Sequence, residues 1–241
     1  MFKLCNFLIF KRRKSLQGNV SILIPTMFDS RYIIELCVKS IQKNTDYPHY
    51  QIIICDSGAD EVTKQYLRAL EEKQEIRLIQ ATDWQRPKDD LVKAVDSEYY
   101  ILMHDDIQIL KKDWLTRRLT IMQNNLQNAI VGTIVRNYNN TKRFFPLGLL
   151  VKTEISRKLN LVWGKQPDKG FDTGALAYHK FFSQTEYTFI PYKVSRDIKH
   201  FSDMTWPKYN TKETCAELDI KLKERDNKIK HIQQILKNNV Y

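Results

Sequence analysis

The side chains best suited to chemistry in this sequence are His104-Asp105-Asp106, which directly follow the apolar run 99–103 (YYILM). Two adjacent carboxylates at the end of a buried strand repel each other and lose hydration, so they need a partner. Mg²⁺ and Mn²⁺ prefer oxygen ligands and often bind one or two carboxylates together with substrate phosphates. The triplet therefore predicts a divalent-cation site. A strand end facing solvent, or the start of a helix, is the alternative.

The sequence before this triplet alternates between strand and helix patterns. Four apolar runs rich in β-branched residues predict strands at 20–26, 50–58, 76–80 and 99–103. Stretches with apolar residues at helical spacing separate them. Strands that are apolar along their whole length are buried on both faces. We therefore predict an α/β fold with a mostly parallel sheet, helices on both faces and a C-terminal helical extension.

Polar residues close three of these strands. Thr26 follows Pro25, which we expect to end the first strand because proline cannot donate a ladder hydrogen bond. Asp56 closes the second strand, and the acidic triplet closes the fourth. Ligands of open α/β sheets bind beyond the carboxyl ends of the strands. These residues are therefore predicted to share one site.

Two common nucleotide-binding motifs are absent. No GxGxxG follows the first strand, and no GxxxxGK[ST] occurs in the chain. A nicotinamide-type site or a P-loop is therefore poorly supported. The phosphates of a bound nucleotide would need another counter-charge, which a carboxylate-bound cation can provide.

Three motifs together resemble a known family. VSILIPTMFDSRYIIELCVKSI, YQIIICDSG and YYILMHDDIQILKKDWL look like the nucleotide-sugar-binding half of family 2 glycosyltransferases, which have the Rossmann-like GT-A fold. The resemblance covers Val20–Leu115. It is specific because the three motifs occur in the family's order and at similar spacing.

The resemblance implies a role for each matching residue. Pro25 and Thr26 match the turn that contacts the nucleotide, and Asp56 matches the acid that hydrogen-bonds the base or ribose. The acidic triplet occupies the family's DXD motif. There, Asp105 would lie over the ribose and phosphates, and Asp106 would bind the metal.

Further residues are implied less directly. His104 departs from the family, which often has aspartate there, although a neutral imidazole can still form a hydrogen bond or bind the metal. Arg86 and Lys88 lie in a variable segment where the family often contacts the donor, and a cation there could meet diphosphate. His200 resembles a later histidine that completes the metal site in some GT-A enzymes.

The family places a catalytic base in its second half, and Asp172 in GFDTG is the candidate. A glycine-flanked turn is a suitable place to present a carboxylate. The base would deprotonate the acceptor hydroxyl for in-line attack, which inverts the anomeric configuration. The alternative is that Asp172, or Thr173, only caps the helix that follows.

The second half of the chain has a weaker pattern than the first. It predicts strands at 129–135 and 187–192, whereas 137–168 is mixed and 197–206 reads as irregular.

We divide the chain into four segments. These are an N-terminal apolar and basic segment (1–18), the nucleotide-sugar-binding half (19–115), the acceptor-binding half of the same domain (116–210), and a charged C-terminal helix (211–241).

The composition bounds the partners and the compartment. The formal charge of +11 favours an anionic partner, but no nucleic-acid-binding motif is present. Four scattered cysteines without CxxC spacing indicate a reducing compartment and no structural zinc. We expect a cytoplasmic protein. The segment MFKLCNFLIFKRRKS either anchors it peripherally to the inner face of a membrane or is a frayed or core-docked N-terminal segment.

The leading hypothesis is a metal-dependent inverting glycosyltransferase of the hexosyltransferase type, acting in polysaccharide biosynthesis. It would use Mn²⁺ or Mg²⁺ to move a sugar from a nucleotide-diphosphate donor to a hydroxyl of a glycan or lipid-linked saccharide. A sugar nucleotidyltransferase is disfavoured because the Gly- and Arg-rich loop expected after the first strand is absent. Because His104 departs from the family motif, a non-catalytic nucleotide-sugar-binding module at a membrane remains an alternative. The C-terminal helix is expected to pack on the domain or to form a homodimer.

Overall fold

The computed structural model describes residues 17–136, 140–166, 171–184, 186–202, 204 and 215–241, with side chains of the last segment described from residue 220 onward. Most of the N-terminal apolar and basic segment therefore lies outside the described residues, and so does the membrane contact predicted for it.

Nine strands and seven α-helices form the described structure. The strands are β1 (Val20–Phe28), β2 (Tyr50–Ala59), β3 (Arg77–Gln80), β4 (Tyr99–Leu102), β5 (Ile107–Ile109), β6 (Asn128–Arg136), β7 (Lys142–Lys152), β8 (Thr188–Pro191) and β9 (Ile198–His200). The helices are α1 (Arg31–Lys43), α2 (Glu61–Glu72), α3 (Pro87–Lys93), α4 (Trp114–Gln123), α5 (Thr153–Lys158), α6 (Ala175–Phe182) and α7 (Cys215–Lys237).

Seven strands form one mixed, mostly parallel sheet in the order β3-β2-β1-β4-β7-β6-β8. The first four strands are parallel to one another, β7 is antiparallel to both β4 and β6, and β8 is parallel to β6. Buried apolar side chains form one core cluster on each face of this sheet. This arrangement confirms the predicted α/β fold with helices on both faces.

Two details of the strand prediction are wrong. Pro25 does not end β1, which continues to Phe28. Pro25 still pairs with Cys55 of β2, whereas β4 pairs with β1 only as far as Leu23. At Pro25, β1 therefore pairs with β2 but no longer with β4, so the N–H that proline lacks is not needed for pairing with β4. In addition, the region read as mixed contains β7, an 11-residue strand beside β4.

A second, two-stranded sheet joins the segments that follow the acidic triplet and precede Phe201. In this sheet β5 and β9 are antiparallel, and Ile107 pairs with His200. Sequence reasoning read the β9 region as irregular, because three residues are too few to show a strand period.

The C-terminal helix α7 packs on the same chain. Ile232 is fully buried in a cluster with Ile33 and Leu36 of α1, and with Phe201 and Met204. Some apolar side chains of α7 are therefore used within the chain, and the homodimer remains a prediction. In the described part of the chain, no helix has the length and apolar content to cross a membrane.

A buried ion pair anchors the start of β9. Asp197 and Arg118 are both fully buried, with 2.9 Å between Asp197 Oδ2 and Arg118 Nη1. The Tyr192 hydroxyl donates to the same carboxylate oxygen at 2.7 Å, and Arg117 approaches Asp197 Oδ1. Leu110 N also donates to the backbone oxygen of Asp197, which fixes β9 against the end of β5.

Removing the Asp197 charge should be costly, because it leaves the Arg118 guanidinium buried without an ionised partner. We expect Asp197→Asn to lower the free energy of unfolding by about 3 kcal/mol or more, measured by urea denaturation. Asp113→Asn is the matched control. Asp113 pairs with Arg117 at a similar distance but is half exposed, so we expect a change within about 1 kcal/mol. Equal effects of the two substitutions would contradict this account.

Candidate metal and donor site

The carboxyl ends of β1 and β4 meet as the sequence predicted. The Thr26 hydroxyl is buried, donates to Asp105 Oδ2 at 3.0 Å and lies 2.7 Å from the Ser30 hydroxyl. Thr26 pairs with Asp56 in the parallel ladder of β1 and β2. The three polar strand ends therefore border one edge of the sheet.

Asp106 stands between two histidines. Its Oδ1 lies 3.1 Å from His200 Nε2 and 3.8 Å from His104 Nδ1. One ligand atom from each of the three residues lies within 4.8 Å of the others. The pairing of β5 with β9 brings His200 to this place, and Phe201 N donates to the backbone oxygen of Asp106 at 2.9 Å.

The donor atoms of this group fit a divalent cation. Asp106 Oδ1 is buried and accepts no well-aligned hydrogen bond from the described residues, despite its closeness to His200. On the other side of the His200 ring, Nδ1 lies 3.0 Å from the Ser202 hydroxyl. A hydrogen bond at one ring nitrogen commonly orients the other toward a metal. The three residues can therefore hold a cation through one carboxylate and two imidazoles.

The charges in the group also suit a cation. Burial, followed by the charge of Lys88, lowers the pKa of His104 to about 3, so the ring is neutral at pH 7 and able to bind metal. Burial raises the pKa of Asp106, but the two neighbouring histidines outweigh it and lower that pKa overall. Burial and the Asp106 charge raise the pKa of Asp105. An arriving cation would relieve this repulsion.

Lys88 supplies a positive charge next to Asp105. Burial lowers the pKa of Lys88 to about 8, Asp105 opposes that shift, and Arg143 and Lys165 add to it. Lys88 makes no hydrogen bond or ion pair with the residues that the structure describes. The charges of Arg143 and Lys165 therefore act on Lys88, which itself acts on Asp105, and this positive potential is suitable for an anionic ligand.

Arg86 has a different environment from Lys88. Its Nε and Nη2 lie 2.9 Å and 2.8 Å from Asp89 Oδ2. The other oxygen of Asp89 accepts from the backbone N–H groups of Trp163 and Gly164, at 2.7 Å and 3.1 Å. Asp89 therefore connects α3 to the loop that contains Trp163 and Gly164, and Arg86 is engaged by Asp89.

Asp56 shapes the turn at the end of β2. The carboxylate is buried, and Oδ1 accepts from Gly58 N at 2.9 Å and from Ala59 N at 2.7 Å. Gly58 has a φ of +109°, which only glycine adopts readily. These hydrogen bonds stabilise the turn beside Thr26. The nucleotide contact predicted for Asp56 remains a prediction.

Asp172 lies in a turn before α6, as predicted, but its carboxylate does not cap that helix. The N-cap residue of α6 is Gly174, and no side chain caps the helix there. Asp172 Oδ1 accepts from Thr173 N at 2.7 Å, and Oδ2 lies 3.4 Å from Arg143 Nη1. Arg143 thus contacts the Asp172 carboxylate, and its charge also contributes to lowering the pKa of Lys88 and of His104.

Comparison with protein families decides the class of this chain. The model of glycosyl transferase family 2 matches residues 21–185, which is more than half of the sequence. The chain belongs to glycosyl transferase family 2. The resemblance carried by the three sequence motifs is thereby confirmed. A search of curated proteins gives no significant match.

Several solved structures have a fold similar to the GT-A fold of this family 2 chain. The mannosyltransferase PcManGT from Pyrobaculum calidifontis, in complex with GDP-Man and Mn²⁺, has 17% sequence identity and a TM-score of 0.58. That match covers 75% of this chain and 56% of the mannosyltransferase. S. aureus TarS has 14% identity and a TM-score of 0.57, over 87% of this chain and 43% of TarS. The chain thus spans about half the length of these two proteins.

A shorter form of TarS gives a similar result. TarS 1–349 in complex with UDP has 14% identity and a TM-score of 0.56, over 87% of this chain and 71% of that one.

The structure adds residues that sequence reasoning missed. Asp89 was part of a polar run, and Arg143 lay in the region read as mixed. Neither role has a local signal, because Arg143 meets Asp172 and Asp89 meets the backbone of Trp163 and Gly164 only in the folded chain. Ser202 could have been noticed only through its closeness in sequence to His200.

Two imidazoles should favour Mn²⁺ over Mg²⁺, since Mg²⁺ prefers oxygen ligands. We expect Asp106→Asn to weaken Mn²⁺ binding at least about tenfold, and His104→Asp to raise affinity for Mg²⁺ relative to Mn²⁺. Isothermal titration calorimetry measures both. His231→Ala, at an exposed histidine of α7, is the control. Mn²⁺ affinity unaffected by Asp106→Asn would show that the group is not the cation site.

Proposed function

We propose that this chain is a metal-dependent, inverting glycosyltransferase that uses a nucleoside-diphosphate sugar. The observation that carries the proposal is the group His104, Asp106 and His200, with Asp106 buried between two partly exposed histidines, at the strand ends of a family 2 domain. Its donor atoms suit a divalent cation, and the nearby Lys88 suits a phosphate.

The solved structures support this donor class. PcManGT is described with GDP-Man and Mn²⁺, and TarS 1–349 with UDP and with UDP-GlcNAc. The donors differ in both base and sugar, so we assign only the shared chemistry, a nucleoside diphosphate joined to a sugar. The acceptor is proposed as a hydroxyl of a saccharide or lipid-linked glycan, in polysaccharide biosynthesis.

The residues at the strand ends would hold the donor. Pro25, Thr26 and Asp56 border the nucleotide, and Thr26 keeps Asp105 oriented through its 3.0 Å hydrogen bond. His104, Asp106 and His200 would hold Mn²⁺ or a similar cation. Such a cation neutralises the charge that develops on a leaving diphosphate.

Asp172 would act as the general base. Its carboxylate takes the proton of the acceptor hydroxyl while the oxygen attacks the anomeric carbon. The bond from that carbon to the diphosphate oxygen breaks on the opposite side, so the configuration inverts and the diphosphate leaves with the bonding electrons. Arg143, 3.4 Å from Asp172 Oδ2, would keep this carboxylate turned toward the site.

We retain the proposed division of the chain. Residues 19–115 would bind the donor and 116–210 the acceptor, with both parts contributing strands to one sheet. The segments 1–18 and 211–241 would flank this domain. A cytoplasmic location and peripheral membrane contact through the first segment remain predictions.

Lys88 and Arg86 should respond differently to substitution. We expect Lys88→Ala to lower affinity for a nucleoside diphosphate about tenfold or more, because it removes a charge-assisted contact. Arg86→Ala should leave that affinity nearly unchanged and lower the melting temperature, since Arg86 is engaged by Asp89. Calorimetry in Mn²⁺ and a thermal melt measure the two effects. A larger loss of affinity for Arg86→Ala than for Lys88→Ala would contradict this assignment.

Asp172→Asn tests the base directly. We expect kcat to fall at least about 100-fold with donor affinity unchanged, because the amide cannot accept the proton. Turnover is measured as the release of nucleoside diphosphate from a sugar donor, either with glycan acceptors or with water alone as the acceptor. Asp83→Asn, at an exposed aspartate, is the control. Full turnover by Asp172→Asn would remove Asp172 from the mechanism, and Mn²⁺-dependent donor binding without any turnover in the wild type would favour the non-catalytic module.

A further inference from the structure

Helix α7 carries a buried arginine that contacts two loops of the domain. Arg225 is 4% exposed. Its Nε donates to the backbone oxygen of Met204 at 2.6 Å, and its Nη2 donates to Asp29 Oδ1 at 2.8 Å and to the backbone oxygen of Asp29 at 3.1 Å. One guanidinium thus joins the loop after β1 to the segment after β9.

A second cation of α7 contacts the residue that orients His200. Lys228 Nζ donates to the backbone oxygen of Ser202 at 2.8 Å, and the Ser202 hydroxyl lies 3.0 Å from His200 Nδ1. Ser202 has a φ of +31°, in a region that side chains rarely adopt. Surrounding contacts must hold this backbone in place, and Lys228 is one of them.

Apolar and C-terminal contacts complete the attachment. Ile232 is buried against Phe201 and Met204. Beyond the helix, the backbone oxygen of Val240 accepts a hydrogen bond from Gln108 Nε2 at 3.3 Å. Gln108 lies two residues after Asp106 in the sequence. The C-terminal segment therefore touches the chain on both sides of the candidate cation group.

His200 needs support of this kind. It lies at the end of a three-residue strand, and Asp106 is nearly a hundred residues earlier in the chain. Ligand geometry depends on the groups behind the ligands, and loss of such groups typically lowers metal affinity 10–100-fold.

We propose that α7 is the positioning element of the cation site, with Arg225 and Lys228 as the positioning residues that hold Met204 and Ser202 so that His200 Nε2 faces Asp106. This inference rests on the proposed cation site. It assigns the C-terminal helix a role in metal binding rather than in dimerisation or in the chemical step.

A double-mutant cycle on Mn²⁺ affinity tests the proposal. Arg225→Met and Lys228→Met are each measured alone and combined with His200→Ala, by titration of Mn²⁺ against the full chain with free Mn²⁺ detected by electron paramagnetic resonance. Lys230→Met, at an exposed lysine of the same helix, is the matched control. Circular dichroism establishes that each variant is folded at the measuring temperature. If Arg225→Met is unfolded, Lys228→Met alone provides the test.

We expect each positioning variant to weaken Mn²⁺ binding about tenfold, and Lys230→Met to have no effect. In the His200→Ala background the same substitutions should change Mn²⁺ affinity by less than about twofold, because they act through His200. Full Mn²⁺ affinity in folded Lys228→Met, or equal losses with and without His200, would overturn the proposal. A wild-type chain that binds no Mn²⁺ would instead overturn the proposed cation site itself.

Discussion

The burial of two adjacent carboxylates is the constraint on which the site depends. Asp105 and Asp106 lie at the end of β4, each less than a tenth exposed, and their repulsion and lost hydration must be offset. Thr26 donates a hydrogen bond to one, and His104 and His200 approach the other. These contacts leave Asp106 Oδ1 without a well-aligned donor among the described residues. A bound cation is the partner that best completes the group.

The second half of the molecule serves this arrangement by delivering residues from far along the chain. The β5–β9 pair carries His200 to Asp106. Asp197, fully buried with Arg118, anchors the start of β9. Helix α7 packs behind the segment that follows. Arg143 of β7 contacts Asp172, and its charge also acts on Lys88 and His104.

How far the sequence could predict the structure depended on whether the signal was local. The first four parallel strands were predicted because each is a continuous apolar run, and their polar ends followed from the geometry of open sheets. The long strand β7 was missed because it contains Pro146 and Gly148 and takes its order from antiparallel pairing with β4. Asp172, the partner of Arg143, and the backbone groups of Trp163 and Gly164 that contact Asp89 are also distant in sequence, so no local pattern could reveal these contacts.

The central claim is that two imidazoles and one carboxylate hold the cation that meets the donor diphosphate. Electron spin echo modulation of Mn²⁺ bound to the full chain tests it most directly, before and after addition of a nucleoside diphosphate. We expect ¹⁴N modulation from imidazole, reduced in His104→Ala and in His200→Ala, and ³¹P coupling once the diphosphate is present. Bound Mn²⁺ without ¹⁴N modulation, or without ³¹P coupling in the ternary complex, would contradict it.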